Sequence, residues 1–258
     1  MDSLANPTIE PSAFVEKSKL LGANSRVRAG VRIEGDVKTG ENVLIDSNAI
    51  ILGPVSIGDR TYVGSNCVIG HPSVPELTEL RKAHRFTSKA QTAIGKNCVI
   101  RSGSSIYSSV SVGNDVIFGH NVMLREEVTV GNRTKLGTNT VIDGKSRIGS
   151  NVSIQTGVYI CTYSTVEDGV FLGPCCVFAN DKYVDQREFK LIGPTVKKGA
   201  SIGANAVLFP GIVVGEGAVV GSQALVNHDV PPRSICAGVP AKKIRDVPAN
   251  WRSLLLQS

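Results

Sequence analysis

A period of six runs through this chain. Stepping by six from Ile94 meets Ile100, Ile106, Val112, Phe118, Leu124, Val130, Leu136, Ile142, Ile148, Ile154, Ile160, Val166, Leu172 and Phe178, all of them aliphatic or Phe. The stretch from Ile9 to Ile69 keeps the same step with only Thr39 polar, and a third run goes from Val196 through Ile202, Leu208, Val214 and Val220 to Val226. An amphipathic helix would repeat near 3.6, so a strict six excludes a helical stripe. Each hexad reads instead as a short strand and a corner. The aliphatic residue points inward, a Gly often follows it (Gly58, Gly64, Gly95, Gly131, Gly149), and Asn is close behind (Asn97, Asn114, Asn132, Asn151). Gly or Asn is expected to supply the unusual backbone dihedral of the bend, with a small or β-branched residue such as Val116, Val122 or Thr134 packing beside it. Three hexads close an 18-residue turn, and turns stack at the spacing of paired strands, about 4.8 Å. The expectation is an all-β parallel β-helix of about 10 coils, a repeat array whose stability accumulates turn by turn.

Two stretches break the register, residues 71–93 (HPSVPELTELRKAHRFTSKAQTA) and 182–195 (KYVDQREFKLIGPT). A solenoid expels such insertions as loops, and loops of this kind commonly carry binding. The β-helix is therefore expected over 1–248 with these two loops, followed by a short helical cap at 249–258. Composition agrees. Aromatics are only 5% of the chain and there are 27 glycines, which suits many short, closely packed strands rather than a core of large rings. The formal net charge of +6 suits a polyanionic small ligand. Nucleic-acid binding is disfavoured, because no basic run with interleaved aromatics appears. No segment reaches the roughly 20 apolar residues of a membrane span, and MDSLANPTIEPSAF has neither a basic nor an apolar leader region, so a cytoplasmic protein is expected. The six cysteines, Cys67, Cys98, Cys161, Cys175, Cys176 and Cys236, form no metal-like pair and read as small buried hydrophobes in a reduced compartment.

The hexads, with RIGSNVSIQTGVYI, VFLGPCCVFANDKY, PTVKKGASIGANAVLFPGIVVGEGAVVGSQALVNHDVPP and AGVPAKKIR, resemble the hexapeptide-repeat acyltransferases, and among them the nucleotide-linked amino-sugar N-acetyltransferases. The resemblance implies the left hand of the β-helix, which the usual right-handed crossover of parallel strands does not supply. It also implies a homotrimer with active sites between subunits, and acetyl-CoA lying along the C-terminal coils. The small residues Gly203, Ala204 and Gly221, with Ala206, Gly211, Gly215, Gly217 and Ala218, would leave room for a pantetheine arm. Lys197, Lys198, Lys242, Lys243 and Arg245 would meet phosphates.

Acyl transfer needs a free amine, a proton acceptor and donors for the oxyanion. Glu126, in LREEVTVGN, stands where related enzymes of this fold carry a catalytic His, so a carboxylate replaces the imidazole there. His120, the one histidine inside the uninterrupted repeat, is the second candidate base, since imidazole is the side chain that most often serves as a general base. Counting by 18 puts Glu126, Gly144, Thr162 and Asn180 on one corner ladder. Asn180 and Asp181 are expected to bind the sugar, or to open the second loop through an Asx-type turn. Gln155 is a further substrate-binding candidate. Arg81 and Arg85, near Lys82 and His84 in the first loop, would hold the nucleotide diphosphate, although PELTELRKAHRF also reads as a solvated helix. The function so read is acetyl-CoA-dependent N-acetylation of a nucleotide-linked amino sugar for surface-polysaccharide synthesis. Alternatives are O-acyl transfer to a nucleotide sugar or a small alcohol such as serine, and a non-enzymatic β-helix scaffold. A metal-dependent enzyme of this fold is disfavoured, since His71, His84, His120 and His228 lack the spacing of a three-histidine site.

Overall fold

The computed structural model describes residues 6–17, 20–83 and 90–256. The chain falls into two compact units, residues 1–127 and 128–258. Each is a parallel β-solenoid with three sheet faces, built as the six-residue period requires.

In the first unit the first face runs Thr8–Ile9, Arg26–Val27, Leu44–Ile45, Tyr62–Val63, Val99–Ile100 and Ile117–Phe118. The second face runs Phe14–Val15, Arg32–Glu34, Ile50–Leu52, Val68–His71, Ser105–Tyr107 and Met123–Leu124, and the third runs Val37–Thr39, Val55–Ile57, Thr92–Ile94 and Ser111–Val112. Neighbours pair in parallel 18 residues apart, as Val27 with Ile45. In the second unit the first face runs from Lys135–Leu136 through Ser153–Ile154, Phe171–Leu172, Ser201–Ile202 and Val219–Val220 to Ser234–Ala237. Six strands line the first face of each unit, six turns apiece where about 10 in all were expected. The last of them, Ser234–Ala237, lacks the hexad spacing that makes the others legible.

The inner ladders are dry. Val27, Ile45, Val63, Ile100 and Phe118 are at most 1% exposed in the first unit, and Leu136, Ile154, Leu172, Ile202 and Val220 at most 2% in the second. Burying each such side chain stabilises the fold by about 1.5–3 kcal/mol. Where a hydroxyl replaces a methyl beside the ladder, it bonds a backbone carbonyl of the next turn: Thr61 Oγ1 donates to Gly95 O at 2.9 Å and Thr134 Oγ1 to Gly149 O at 2.9 Å. Among the described residues no buried side-chain N or O lacks a partner.

The corners divide their labour differently from the sequence expectation. The left-handed conformation falls on Asn97 (φ 57°), not on Gly95. Gly95 is glycine because an added Cβ would lie 2.4 Å from Gly113 O on the next turn. Asn tolerates the left-handed region better than other residues with a Cβ, which explains its recurrence there.

Both insertions leave the corner between second and third faces. Val63 pairs with Ile100, 37 residues on instead of 18, and Val166 pairs with Val196, 30 residues on. The first insertion carries the one α-helix among the described residues, α1 (Val74–Ala83), as the solvated-helix alternative anticipated. It opens with a capping box: the Ser73 N–H and hydroxyl donate to Glu76 Oε2 at 2.7 and 2.8 Å. The same carboxylate oxygen accepts from Ser108 Oγ at 2.6 Å, which ties the helix start to the corner beneath it.

At the C-terminus Lys242–Asp246 folds back antiparallel on Ser234–Ala237. Of the helical cap expected at 249–258, the described residues form one 3-10 turn, Leu254–Leu256. The tail is held by side contacts in place of helix propagation: Ser253 Oγ donates to Gly169 O at 2.6 Å, and an added Cβ at Gly169 would lie 2.3 Å from Leu256. Among the described residues no helix is long and apolar enough to cross a membrane.

Candidate active site

The residues singled out from sequence lie in both units. In the first unit His120 is exposed on the corner between first and second faces, while Glu126 is on the corner between second and third. The strand Met123–Leu124 separates them, so the fold does not bring the two candidate bases onto one corner. Glu126 is engaged by its neighbour: Arg125 Nε and Nη2 donate to its two carboxylate oxygens at 3.0 and 3.1 Å. The Arg125 guanidinium in turn lies 5.2 Å from the centre of the Tyr107 ring, and His71 stacks against that ring at 4.5 Å. Arg81 is exposed on α1, and Arg85 and His84 lie outside the described residues. Sequence reasoning passed over His71, Tyr107 and Arg125. They occupy equivalent positions of three successive turns, a signal that an 18-residue count across the first insertion hides.

In the second unit Asn180 closes the corner ladder as the count predicts, its Nδ2 donating to Thr162 O at 3.3 Å. Its own carbonyl accepts from the Ile192 N–H at 3.0 Å, so Asn180 clasps both ends of the second insertion. Asp181 takes the Asx-turn role: its carboxylate accepts from the Tyr183 and Asp185 N–H groups at 2.8 and 2.7 Å. Those bonds, Tyr183 first, hold its carboxyl below the usual Asp range. Gln155 Nε2 donates to Ser153 Oγ at 3.0 Å on the first face.

The residues assigned to acetyl-CoA divide between the two ends of the first face. Lys197 and Lys198 stand at the corner before Ser201–Ile202, Gly203 and Ala204 at the corner after it, with Gly221 one turn on. Lys242 and Arg245 are exposed on the capping strand, opposite Ala237 and Ile235. Packing between turns gives four of the small residues a reason of its own. Ala206 and Ala218 are wholly buried, an added Cβ on Gly203 would meet Ser222 N at 2.4 Å, and one on Gly221 would meet the Ala237 Cβ at 2.7 Å. These residues are small because adjacent turns touch there. Two of the basic residues are paired locally. Lys197 Nζ donates to Glu167 Oε1 at 2.8 Å and holds that carboxyl below the usual Glu range, while Lys243 pairs with Asp246 at 2.7 Å.

One concavity of the second unit is something the sequence did not disclose. The tail bends back over the corner that bears Lys198 and Gly217, leaving a groove of about 820 Å³ walled by Trp251 and Arg252. Arg233 staples the tail in place, donating to Pro248 O at 2.9 Å and Trp251 O at 3.3 Å. Trp251 is 48% exposed, with the Arg245 guanidinium 5.8 Å from its ring centre. A groove with an exposed indole and the cations of Lys198 and Arg252 suits a planar base bearing phosphates. The signal available in sequence was the single Trp, which falls beyond the last hexad. The cysteines follow the expectation except for Cys175, which is exposed where the other five are buried. Among the described residues no group of three or more His, Cys, Asp or Glu side chains is placed to hold a metal.

Comparison with known proteins bears on this arrangement. The family described as bacterial transferase hexapeptide (six repeats) matches residues 36–71 and 91–126, and the hexapeptide repeat of succinyl-transferase matches residues 197–222. A chloramphenicol acetyltransferase of Agrobacterium fabrum is 57% identical over 44 residues, 17% of this chain and 21% of that protein. A dTDP-3-amino-3,6-dideoxy-alpha-D-galactopyranose 3-N-acetyltransferase of Aneurinibacillus thermoaerophilus is 49% identical over 47 residues, 18% of this chain and 24% of that protein. The matched segments thus span about a fifth to a quarter of the lengths of these relatives. The UDP-N-acetylglucosamine acyltransferase of Arabidopsis shares the fold at a TM-score of 0.51, with 16% identity over 93% of this chain and 73% of that one. With the buried ladders and the 18-residue register, these matches show that the chain is a β-solenoid carrying hexapeptide repeats similar to those of bacterial transferases.

Proposed function

We propose that this chain is an acetyl-CoA-dependent N-acetyltransferase that acts on the amino group of a nucleotide-linked amino sugar in surface-polysaccharide synthesis. The observation that carries the cofactor half is the groove beside Trp251, where Lys198 and Arg252 meet an aromatic face. The nucleotide end of acetyl-CoA has a purine and several phosphates, and the groove presents partners for both. Lys242 and Arg245, along the exposed capping strand, extend that basic surface. The acceptor half leans on the amino-sugar N-acetyltransferase relative and on the second insertion, where Asn180 and Asp181 order the loop backbone at the edge of the second face.

The reaction joins the amine nitrogen to the thioester carbon and releases the thiol. It requires a deprotonated amine and donors for the developing oxyanion. His120 and Glu126 stand on different corners, so they would serve different subsites. A homotrimer with sites between subunits fits one further feature of the second unit. The outward positions of its second face are Val141, Tyr159, Val177, Val207 and Leu225, a row without charge, whereas the third face presents Thr129, Arg147, Thr165, Thr195 and Val213. Covering such a row with another copy removes apolar surface from water.

Thermal denaturation with acetyl-CoA and a panel of nucleotide-linked amino sugars tests the reading, because a ligand that binds only the native state raises Tm. A rise with acetyl-CoA, increased by one of the sugars, is expected. No shift with any CoA ester would sink the acyltransferase reading.

A further inference from the structure

The tail that walls the groove is seated on glycine. Along the corner between third and first faces of the second unit, one residue per turn is left-handed and donates its N–H to the turn before. Gly169 bonds Ser150 O at 3.0 Å, Gly199 bonds Asp168 O at 2.9 Å, Gly217 bonds Lys198 O at 3.0 Å and Arg233 bonds Glu216 O at 2.9 Å. Two earlier turns fill the same position with Arg133 and Asn151, so the left-handed backbone does not by itself demand glycine. The tail's footprint does. An added Cβ at Gly169 would lie 2.3 Å from Leu256, and one at Gly199 would lie 3.1 Å from Leu256 and 3.5 Å from Ser253. At Gly217 it would meet only the Arg233 side chain, at 3.6 Å, and that glycine lies in the floor of the groove.

The tail is pinned at its two ends and buried nowhere between them. Val247 is buried, and its N–H donates to Arg233 O at 2.8 Å, which fixes the root. At the far end Ser253 Oγ donates to Gly169 O, and Leu256 rests on Gly169 and Gly199. From Pro248 to Leu256 no residue is buried, and Leu254 is 77% exposed. A segment with so few buried contacts opens locally at small cost. Yet this segment supplies Trp251 and Arg252 to the groove, whose opposite wall, with Lys198 and Ser201, belongs to the solenoid.

We propose that residues 248–256 form a strap that closes over the nucleotide end of acetyl-CoA, with Ser253 and Leu256 as the positioning residues that dock it on Gly169 and Gly199. The inference rests on the assignment of acetyl-CoA to this groove. A nucleotide lying between Lys198 and Trp251 touches both walls only while the strap is docked. It therefore binds the docked state more tightly than the released one and draws the equilibrium towards docking. The coupling is reciprocal, so a change that frees the strap weakens the cofactor without touching any group that contacts it.

The test pairs two measurements on the intact chain and on Gly169→Asn, Leu256→Asp and Leu256→Met. Trypsin cleavage after Arg252, followed by mass spectrometry, reports release of the strap, and isothermal titration reports the Kd of acetyl-CoA. Gly169→Asn keeps a residue that this corner accepts, as Asn151 shows, but puts a side chain into the seat of Leu256. Saturating acetyl-CoA is expected to slow cleavage of the wild-type strap. Gly169→Asn and Leu256→Asp are expected to speed cleavage without ligand, and a strap docked only about a tenth of the time raises the Kd about tenfold. Leu256→Met refills the seat and is expected to match wild type in both measurements. A Kd within about twofold of wild type in a variant whose strap is cleaved fast overturns the proposal. So does acetyl-CoA that binds wild type without slowing cleavage. Leu256→Asp alters an exposed residue of the tail, so it remains informative should Gly169→Asn fold poorly. If wild type binds no CoA ester at all, the acetyl-CoA reading fails and the strap's role goes with it; binding without linkage sinks the strap alone.

Discussion

Replacing Gly70 with Ala perturbs the bulge at which the strand Val68–His71 slips one residue against Ser105–Tyr107, and the structure supplies its own control. Gly70 and Gly35 belong to the same unit and have nearly the same left-handed backbone, φ +79° and +74°. A side chain at either position incurs the conformational cost of that region, about 1–2 kcal/mol. They differ in what the new methyl meets. At Gly35 the nearest atom is Gly53 O at 3.5 Å, an ordinary contact, whereas at Gly70 it is Leu52 O at 2.0 Å. Backbone oxygen cannot swing away as a flexible side chain would, so the turn holding Leu52 must shift. Overpacking of this kind costs about 1–3 kcal/mol beyond the conformational term. The expected destabilisation is therefore about 1–2 kcal/mol for Gly35→Ala and about 2–5 kcal/mol for Gly70→Ala. Urea unfolding followed by circular dichroism reads both, with comparable m-values required for the comparison. Equal losses in the two variants would refute the steric reasoning, and with it the claim that only glycine permits the slip that brings His71 onto Tyr107.

Other outcomes follow from burial and charge. In native protein a thiol reagent is expected to label Cys175 quickly and the other five slowly, since burial pushes the Cys161 and Cys176 thiols up to about 11 and about 12; labelling in the Cys175→Ser variant at the wild-type rate would contradict this. Leu172→Ala, which empties a fully buried ladder position between Ile154 and Ile202, should cost about 2–5 kcal/mol in the same urea assay, against almost nothing for the outward-facing Thr165→Ala. The Glu167 carboxyl is held below its ordinary 4.5 by Lys197, so its contribution to stability is complete above that value and is lost as pH falls through the lowered one. The Tm difference between wild type and Glu167→Gln should accordingly be present at neutral pH and vanish in acid; a constant difference would contradict it. As the chain has one Trp, in the groove wall, its fluorescence should change when acetyl-CoA binds, and an unchanged signal at saturation would move the cofactor elsewhere.

The fold was legible because burial imposes a period: every sixth residue must be apolar, and the ladders from Val27 to Phe118 and from Leu136 to Val220 are the result. Corner chemistry was half legible. Gly95 and Asn97 were both recognised, but the left-handed residue is the Asn and the Gly serves the contact between turns. Single-turn events leave no periodic trace. The terminal turn at Ser234–Ala237, the tail folded over Gly169, and the one-residue slip at Gly70 each depend on a contact between residues far apart in sequence. The candidate site shows the same division. Corner positions such as Glu126 and Asn180 follow from counting by 18, whereas His71 lies beyond a bulge and Trp251 beyond the last hexad. Their surroundings emerge only when the chain is folded.

The central claim is that an amine of a nucleotide-linked sugar receives acetyl from acetyl-CoA. The most direct measurement incubates the protein with acetyl-labelled acetyl-CoA and matched pairs of nucleotide sugars that differ only in amino against hydroxyl at one ring carbon, and follows the label by mass spectrometry. Label is expected in the amino member of one pair as an amide, with release of free CoA in equal amount. Transfer to the hydroxyl member instead, or to neither member of any pair while CoA binds, would contradict it.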